Sequence, residues 1–229
     1  MNEFCMKTRN IVLAGIALLF LGIIFRLLWV LAATGFFSIP VFSSYAFHYP
    51  SPIRFVDPSS LPFSTYLSQQ LSEHITGRLQ MGRKFLQDPS FSIHLPEEIL
   101  TMGLREKIKE QNLSDMVDIT KAQIVIGANQ TAEVFLPVFY RGKESPVRLS
   151  VSLFATDQGE LQMKLLSVSI GSWRMPNWAT RMVEQEYTKE ILSPINENIS
   201  RFAKLHRIDW QEKMLFVEGE LSLNLPFLK

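Results

Sequence analysis

The chain has 229 residues, of which 47% are hydrophobic and 20% are charged. Its 23 lysines and arginines nearly balance its 22 aspartates and glutamates, so no basic excess predicts binding to nucleic acid. Cys5 is the only cysteine, which excludes an internal disulfide and leaves the rest of the chain without a thiol nucleophile. The four histidines are scattered without metal-ligand spacing, so we predict neither a metal site nor a cofactor.

The first element is an apolar run, residues 11–33, that contains a single charge. A helix needs about 20 apolar residues to cross a bilayer core, so we predict a transmembrane helix here. Lys7 and Arg9 precede it, and the next positive charge after it lies at residue 54, which predicts a cytoplasmic tail at 1–10 and an extracytoplasmic remainder. A cleaved signal peptide is the alternative, but its apolar region spans about 7–15 residues. We therefore favour an uncleaved, single-pass signal anchor in the plasma membrane.

Two residues of this run are predicted to meet the membrane interface. Arg26 lies in the outer half, where its long side chain can reach the headgroups; the alternative is that it pairs with an acidic residue of a partner helix. Trp29, near the outer end, is typical of an interfacial anchor. Residues 34–62 carry five prolines and many aromatic residues. We predict that this linker lies along the membrane interface or packs on the domain that follows, residues 63–229.

Two amphipathic helices flank a strand at the start of this domain. Residues 63–86 repeat apolar side chains every four residues, which predicts the first helix. Alternation over 91–95 predicts a half-buried strand. A proline followed by Glu97 and Glu98 opens the second helix, which runs to about residue 111, because acids in the first turn suit the helix dipole. Adjacent carboxylates on a helix point apart, so we assign these two glutamates no catalytic role.

From residue 117 the apolar period changes to two, which predicts antiparallel strands. The predicted strands are 117–126, 132–140, 147–155 and 161–170. The last strand changes its apolar parity midway, and a β-bulge near Leu165 and Leu166 explains the change.

A long amphipathic helix, 177–205, follows a turn that carries Trp173, and two strands, 207–210 and 214–225, close the chain. Trp173 and Trp178 are expected in the core, with a membrane-facing or ligand-mouth role as the alternative. We therefore predict an α+β fold in which, after an N-terminal transmembrane helix, a curved antiparallel sheet packs on the long helix.

Leucine, isoleucine, methionine and phenylalanine are abundant on the predicted helix stripes and strand faces. An ordinary core accounts for most of them, but a curved sheet lined in this way can also leave an elongated apolar groove beside the helix. Phospholipid acyl chains would fit such a groove, because methionine-rich walls adapt to variable ligands. The residues predicted to line the groove are Leu149, Val151, Leu153, Leu165, Val168, Tyr187, Ile191 and Ile195.

Motifs of known chemistry are absent from the sequence, including the nucleophile elbow, the phosphate-binding loop, the dinucleotide fingerprint and HExxH. We therefore expect no catalytic residues and no enzymatic activity. The favoured hypothesis is a membrane-anchored extracytoplasmic domain that binds lipid or another long apolar ligand. The alternative is a protein-interaction module of a cell-envelope assembly, with an envelope protein as its partner.

The order of features from Phe91 to Leu221 resembles the YpmS-like family of single-pass bacterial envelope proteins. PSFSIHLPEEILTMGLREKI is similar to the strand and acid-capped helix of that family. VRLSVSLFATDQGELQMKLLSVSIGSWRMPNWATRMV is similar to the strand, turn and serine-rich strand of the family, which a glycine and a proline-started helix follow. IDWQEKMLFVEG is similar to the C-terminal part of the family. More distantly, the chain resembles tubular (TULIP) lipid-binding domains, including LmeA-like envelope phospholipid binders. The resemblance implies a long helix wrapped in a curved sheet, with lipid in the groove, and no catalytic residue.

Overall fold

The computed structural model describes residues 2–79 and 90–221. The helices are α1 (Asn2–Ala33), α2 (Phe42–Ala46), α3 (Phe63–Leu79), α4 (Glu97–Glu110) and α5 (Asn177–Phe202). The strands are β1 (Ser90–Pro96), β2 (Gln123–Ile126), β3 (Ala132–Tyr140), β4 (Lys143–Ala155), β5 (Leu161–Ile170), β6 (Trp173–Arg174), β7 (Ala203–Gln211) and β8 (Met214–Leu221). The fold is therefore α+β, as predicted.

The strands divide between two antiparallel sheets, where the sequence predicted one. The smaller sheet has the order β1-β8-β7, and the larger has the order β2-β3-β4-β5-β6. The sheets meet at β7, where the Leu205 N–H donates to the Gly159 oxygen at 3.1 Å and the Trp210 indole donates to the Leu153 oxygen at 3.2 Å. The division depends on pairing between the distant strands β1 and β8, which no local pattern reveals.

The predicted strand 117–126 is wrong in its first half. Val117 makes only an isolated bridge to Val138, and β2 begins at Gln123. The reason is a local turn, in which the Asp118 carboxylate accepts hydrogen bonds from the Thr120 N–H and hydroxyl, at 3.0 and 2.6 Å. Such aspartate turns compete with strand pairing for the same backbone groups.

The β-bulge predicted in β5 is confirmed. Ser150 pairs with Ser167, but the next residue of β4, Val151, pairs with Leu165. Leu166 is therefore the extra residue, and its insertion restores the apolar residues on both sides of the bulge to one face of the sheet.

The C-terminal part of the predicted helix 177–205 is strand instead. Ala203 pairs with Leu221 and Leu205 pairs with Gly219, so β7 begins where α5 ends. Pairing with β8 satisfies the backbone hydrogen bonds of these residues and buries the Leu205 side chain. These two gains stabilise the strand more than the amphipathic pattern stabilises a helix there. The ends of two other predicted elements, 80–86 and 222–225, lie outside the described residues.

Helix α4 closes the outer edge of the five-stranded sheet at β2. The Thr101 hydroxyl accepts a hydrogen bond from the Ile124 N–H at 3.0 Å and donates to the Ile124 oxygen at 3.2 Å. Arg105 donates to the Ala122 and Thr120 oxygens at 2.9 and 2.6 Å, and burial lowers its pKa. These side chains form hydrogen bonds with backbone groups that would otherwise be unpaired at an exposed sheet edge.

The segment between α2 and α3 packs on the domain. We call its residues 47–61 the strap. It crosses one face of the five-stranded sheet and ends at α4, where the Ser59 N–H donates to the Glu98 oxygen at 3.2 Å. Further hydrogen bonds to the sheet and its turns join His48 with Ser172, Tyr49 with Glu144, Ile53 with Glu133 and Val56 with Gln123.

A buried ion pair fastens the strap. The Glu97 side chain is 3% exposed and accepts from Arg54 Nε at 3.0 Å, from Arg54 Nη2 and from the Ile126 N–H at 3.1 Å. Arg54 also donates to the Ile126 oxygen at 2.7 Å, and its hydrogen bond to Glu97 raises its pKa. One carboxylate thus joins the strap, the start of α4 and the end of β2.

The C-terminal end of α1 rests on the turn between β5 and β6. The Ser172 N–H donates to the Ala33 oxygen at 2.9 Å, and the Ser145 hydroxyl donates to the Thr34 oxygen. Gly171 has φ +57°, and a Cβ there would lie 2.6 Å from the Thr34 oxygen. Only glycine permits this close approach without strain.

The stretch Gly15–Ala33 of α1 is long and apolar enough to cross a membrane, and most of it is exposed. By length and composition, a membrane anchor and an N-terminal signal sequence both satisfy this description.

We predict that Glu97→Ala destabilises the full-length protein by about 3 kcal/mol, because it leaves Arg54 unpaired and the Ile126 N–H without an acceptor. Chemical denaturation in detergent micelles, followed by circular dichroism, measures the change. The matched control is Glu98→Ala, which removes the neighbouring carboxylate but keeps the backbone oxygen that Ser59 uses. Equal losses in the two variants would contradict the assignment of Glu97 as the fastening residue.

Candidate ligand-binding site

A cleft of about 520 Å³ opens between α5 and the outer edge of β5. It lies at the junction of helix and sheet where a groove was predicted. Its lining residues are Glu160, Leu161, Gln162, Met163, Glu184, Gln185, Leu192, Ser193, Asn196, Glu197 and Ser200.

Side chains of α5 hold the two walls of the cleft together. Asn196 accepts a hydrogen bond from the Leu161 N–H at 2.8 Å and donates to the Leu161 oxygen at 2.9 Å, as a neighbouring strand would. Glu184 accepts from the Leu165 N–H at 3.2 Å. Met163, which lines the cleft, lies between Leu161 and Leu165 on β5. The cleft therefore lies along the part of the β5 edge between the two residues that α5 contacts.

Among the eleven lining residues are three apolar ones, which we call the floor, and three carboxylates, which we call the acidic rim. Leu161, Met163 and Leu192 supply the apolar part, and Leu192 is only 8% exposed. Three carboxylates, Glu160, Glu184 and Glu197, also line the cleft, with no lysine or arginine among its lining residues. Such a site suits a ligand with an apolar body and a neutral or cationic polar end, because a phosphate would meet like charge at the rim.

The described residues of the predicted groove lie on one face of the five-stranded sheet. By strand register, Leu149, Val151 and Leu153 of β4 share this face with Leu165 and Val168 of β5. Val151 and Val168 are buried and the other three are half-buried.

None of these five residues is among the lining residues of the cleft, which opens farther along β5. Tyr187, Ile191 and Ile195 fall within α5, but their side chains lie outside the described residues. The assignment of all eight residues to a ligand groove stays a prediction.

Sequence reasoning missed the residues that build the cleft. Asn196 had a signal: it is an amide within the apolar stripe of α5, where it disfavours helix unless its side chain finds partners. Nothing in the helical pattern separates the rim carboxylate Glu184 from a solvated residue of α5. Glu184 instead accepts the backbone N–H of Leu165, a contact that depends on how the helix docks.

An exposed apolar surface surrounds the end of α1. Phe42 of α2 packs on Phe25 and Trp29, with ring centroids 5.0 and 6.4 Å apart. Phe36 packs on Tyr140 at 5.7 Å. The exposed apolar residues of this surface, which we call the collar, are Phe37, Val41, Tyr45 and Tyr140.

The two residues predicted at the membrane interface both lie on α1 and are exposed. Trp29 contributes to the ring contacts at the collar. Arg26 lies one residue after Phe25 and has no ion pair among the described residues.

The two tryptophans at the β6–α5 corner differ in their surroundings. Trp173 is half-buried and packs against a cluster that contains Ala32, Ala33 and Ala46. Trp178 is 68% exposed, so its expected place in the core is wrong. The side chain lies in the first turn of α5 and faces solvent. The helical period alone did not predict which side of this turn packs on the sheet.

A charged network holds the strap at β4. Tyr49 donates to Glu144, and Lys121 donates to both oxygens of Glu144 at 3.0 Å and pairs with Asp118 at 3.1 Å. Burial and the hydrogen bond to Glu144 raise the pKa of Tyr49 well above its usual range. Hydrogen bonds to Glu144 and Asp118 raise the pKa of Lys121. With a raised pKa, Tyr49 stays neutral and Lys121 stays charged at neutral pH, which fits a structural role.

Within residues 2–79 and 90–221, no three histidine, cysteine, aspartate or glutamate side chains are grouped to hold a metal ion. His94 is exposed and packs beside Phe216 with tilted rings, whose centroids are 4.4 Å apart.

Comparison of the chain with models of known protein families, with curated proteins and with solved structures found no match. The resemblance to the YpmS-like family therefore stays a prediction.

We predict that Asn196→Ala accelerates hydrogen exchange at the Leu161 amide by about tenfold, because that N–H loses its acceptor. Exchange mass spectrometry of the full-length protein in micelles measures it. Ser200→Ala is the control, since Ser200 lines the same cleft but its hydroxyl binds only the Glu197 oxygen of its own helix. Unchanged exchange in Asn196→Ala would show that α5 does not close this edge.

Proposed function

We propose that this protein is a single-pass protein of the bacterial plasma membrane whose extracytoplasmic domain binds lipid or another long apolar ligand without catalysis. The observation that carries the proposal is the cleft between α5 and β5, which combines an apolar floor with a position on a domain attached to a membrane-length helix.

The collar supports attachment to a bilayer. Val41 is 72% exposed and Tyr45 is 71% exposed, beside the ring contacts of Phe42 with Phe25 and Trp29. Exposed aromatic and aliphatic residues at the end of an apolar helix suit the headgroup level of a membrane. With the basic residues Lys7 and Arg9 at the other end, the N-terminus is cytoplasmic and the domain extracytoplasmic.

In this orientation Arg26 lies within the outer half of the span. About 10 Å of helix separates Arg26 from Ala33 at the end of the span. A long arginine side chain that extends along the helix brings its charge closer to the headgroups. A charged group facing lipid there requires either this extension or an acidic partner in another chain.

The bulge at Leu166 supports a groove beside α5. A bulge bends its strand and increases the local twist. We propose that it curves the sheet around α5, so that the face carrying Leu149 and Leu153 continues the apolar floor of the cleft. An apolar chain would then lie along α5, with a neutral or cationic end at the acidic rim.

We predict that full-length protein released from nanodiscs in native mass spectrometry retains an apolar ligand at fixed stoichiometry, and that Ser193→Trp loses it. Ser193 lines the cleft and is exposed, so an indole there fills the site without removing a core contact. Met182→Trp is the matched control, since Met182 is an exposed apolar residue of α5 outside the lining. The experiment uses the full-length protein, because a shorter version that begins at residue 63 would lack the strap, which is part of the folded domain.

Two results would overturn the proposal. One is a wild-type protein of apo mass that takes up no lipid from vesicles containing a neutral lipid such as diacylglycerol. The other is equal ligand retention in the Ser193→Trp and Met182→Trp variants, which would place the ligand elsewhere on the protein.

A second function, a protein-interaction module of the envelope, is favoured by one observation. Trp178 and Met182, four residues apart on α5, are 68% and 61% exposed and form an apolar ridge. This function predicts that Trp178→Glu abolishes a discrete crosslinked complex in the native membrane while lipid content stays unchanged. An unaltered crosslinking pattern would remove its support.

A further inference from the structure

A second pocket, of about 320 Å³, lies on the face of the five-stranded sheet that the strap crosses. Its lining differs from that of the cleft, because it contains two arginines and a cluster of serines. The polar side chains that line it are Arg148, Arg174, Ser150, Ser167, Ser169 and Ser172, together with Glu133.

Strand register places these side chains side by side. Ser169 pairs with Arg148 on one side and with Arg174 on the other, so the two arginines flank it in one row. Ser150 and Ser167 pair in the next row on the same face. Because neighbouring strands lie about 4.8 Å apart, the two arginine backbones are about 10 Å apart, and their side chains can reach one small anion between them.

The arginines lack partners among the described residues. Neither Arg148 nor Arg174 makes an ion pair or side-chain hydrogen bond there, and Arg148 Nε is buried without an acceptor. A buried donor of this kind is costly unless a ligand or water satisfies it. Two guanidinium groups on one face also repel each other, and an anion between them removes that repulsion.

The serines supply further donors. The hydroxyls of Ser150, Ser167 and Ser169 make no hydrogen bond within the described part of the chain, so each is available to a ligand. Ser172 is already engaged, since its hydroxyl donates to the His48 oxygen and accepts the His48 N–H, both at 2.8 Å.

Glu133 is the one carboxylate in the lining, and it is occupied by the strap. It accepts the Ile53 N–H at 3.0 Å and forms no ion pair with Arg148 or Arg174. With two arginines and one glutamate, the pocket has a net charge of +1. This charge distinguishes it from the cleft, where three carboxylates line the site.

We propose that this pocket binds a tetrahedral phosphate group, held by the guanidinium groups of Arg148 and Arg174 and by serine hydroxyls. Planar guanidinium groups match phosphate oxygens and form paired, charge-assisted hydrogen bonds with them. The phosphate belongs either to a phospholipid headgroup or to a soluble phosphate compound.

The site borders the end of α1, because the Ser172 N–H donates to the Ala33 oxygen. The headgroup source rests on the proposed membrane attachment of α1, whereas phosphate binding itself does not. It is also independent of the cleft, since the arginines point to the opposite face of the sheet from Leu161 and Met163.

The test is isothermal titration calorimetry of the full-length protein in phosphate-free maltoside micelles. One arm adds inorganic phosphate, and the other adds mixed micelles that contain phosphatidylglycerol. The variants are Arg148→Lys, which keeps the charge but loses the planar fork, and Arg174→Gln, at an exposed position where the fold tolerates change. Arg181→Gln, at an exposed arginine of α5 outside the pocket, is the control.

We expect saturable binding that Arg174→Gln and Arg148→Lys each weaken by about tenfold and that Arg181→Gln leaves unchanged. Binding of inorganic phosphate identifies a soluble source, and binding of phosphatidylglycerol alone identifies a headgroup. Absence of saturable binding in both arms, or equal affinity in Arg174→Gln and Arg181→Gln, overturns the proposal. Ser193→Trp separates the two sites, because it fills the cleft and should leave phosphate affinity unchanged.

Discussion

The Glu97 carboxylate is the contact on which the attachment of the strap to the folded domain depends. It lies in the first turn of α4, accepts the last backbone N–H of β2 and pairs with Arg54 of the strap. A carboxylate that is 3% exposed must have such partners, because desolvation of an unpaired charge costs several kcal/mol. The consequence is that the segment following α1 is part of the folded domain. The end of α1 makes its own contacts with the domain, through the hydrogen bonds of the Ala33 and Thr34 oxygens with Ser172 and Ser145.

The second constraint is that the five-stranded sheet has backbone groups left unpaired on both sides, and a helix attaches on each side: α4 to β2, and α5 to the part of β5 that β6 does not pair. On β2, Thr101 of α4 forms both hydrogen bonds that a neighbouring strand would form with Ile124. On β5, Asn196 of α5 does the same for Leu161. Covering an edge prevents pairing with other chains, but side chains reach only some of the backbone groups. The cleft lies beside the part of β5 between Leu161 and Leu165, the two residues that α5 contacts. The candidate site therefore results from the incomplete cover that α5 gives to this edge.

Local patterns in the sequence predicted local structure well. The alternation in β3 and β5 determined their ends, and the parity change located the bulge at Leu166. The division into two sheets and the start of β7 at Ala203 were not predictable, because both depend on pairing with β8. Among the candidate sites, the junction of α5 with the sheet was predicted but its lining was not. Side chains such as Asn196 and Arg148 acquire their roles from neighbours that are distant in the sequence.

The charge difference between the two pockets restricts which ligand each can accept. The cleft has three carboxylates and an apolar floor, whereas the pocket on the strap face has two arginines and three serine hydroxyls that make no hydrogen bond within the described residues. A phosphate in the cleft would meet the like charge of its three lining carboxylates, which opposes binding. The same phosphate beside Arg148 would satisfy a buried donor. The two proposed activities therefore require two ligands or two parts of the bilayer. An apolar molecule with an uncharged or cationic end suits the cleft, and a phosphate at the membrane surface suits the pocket beside α1.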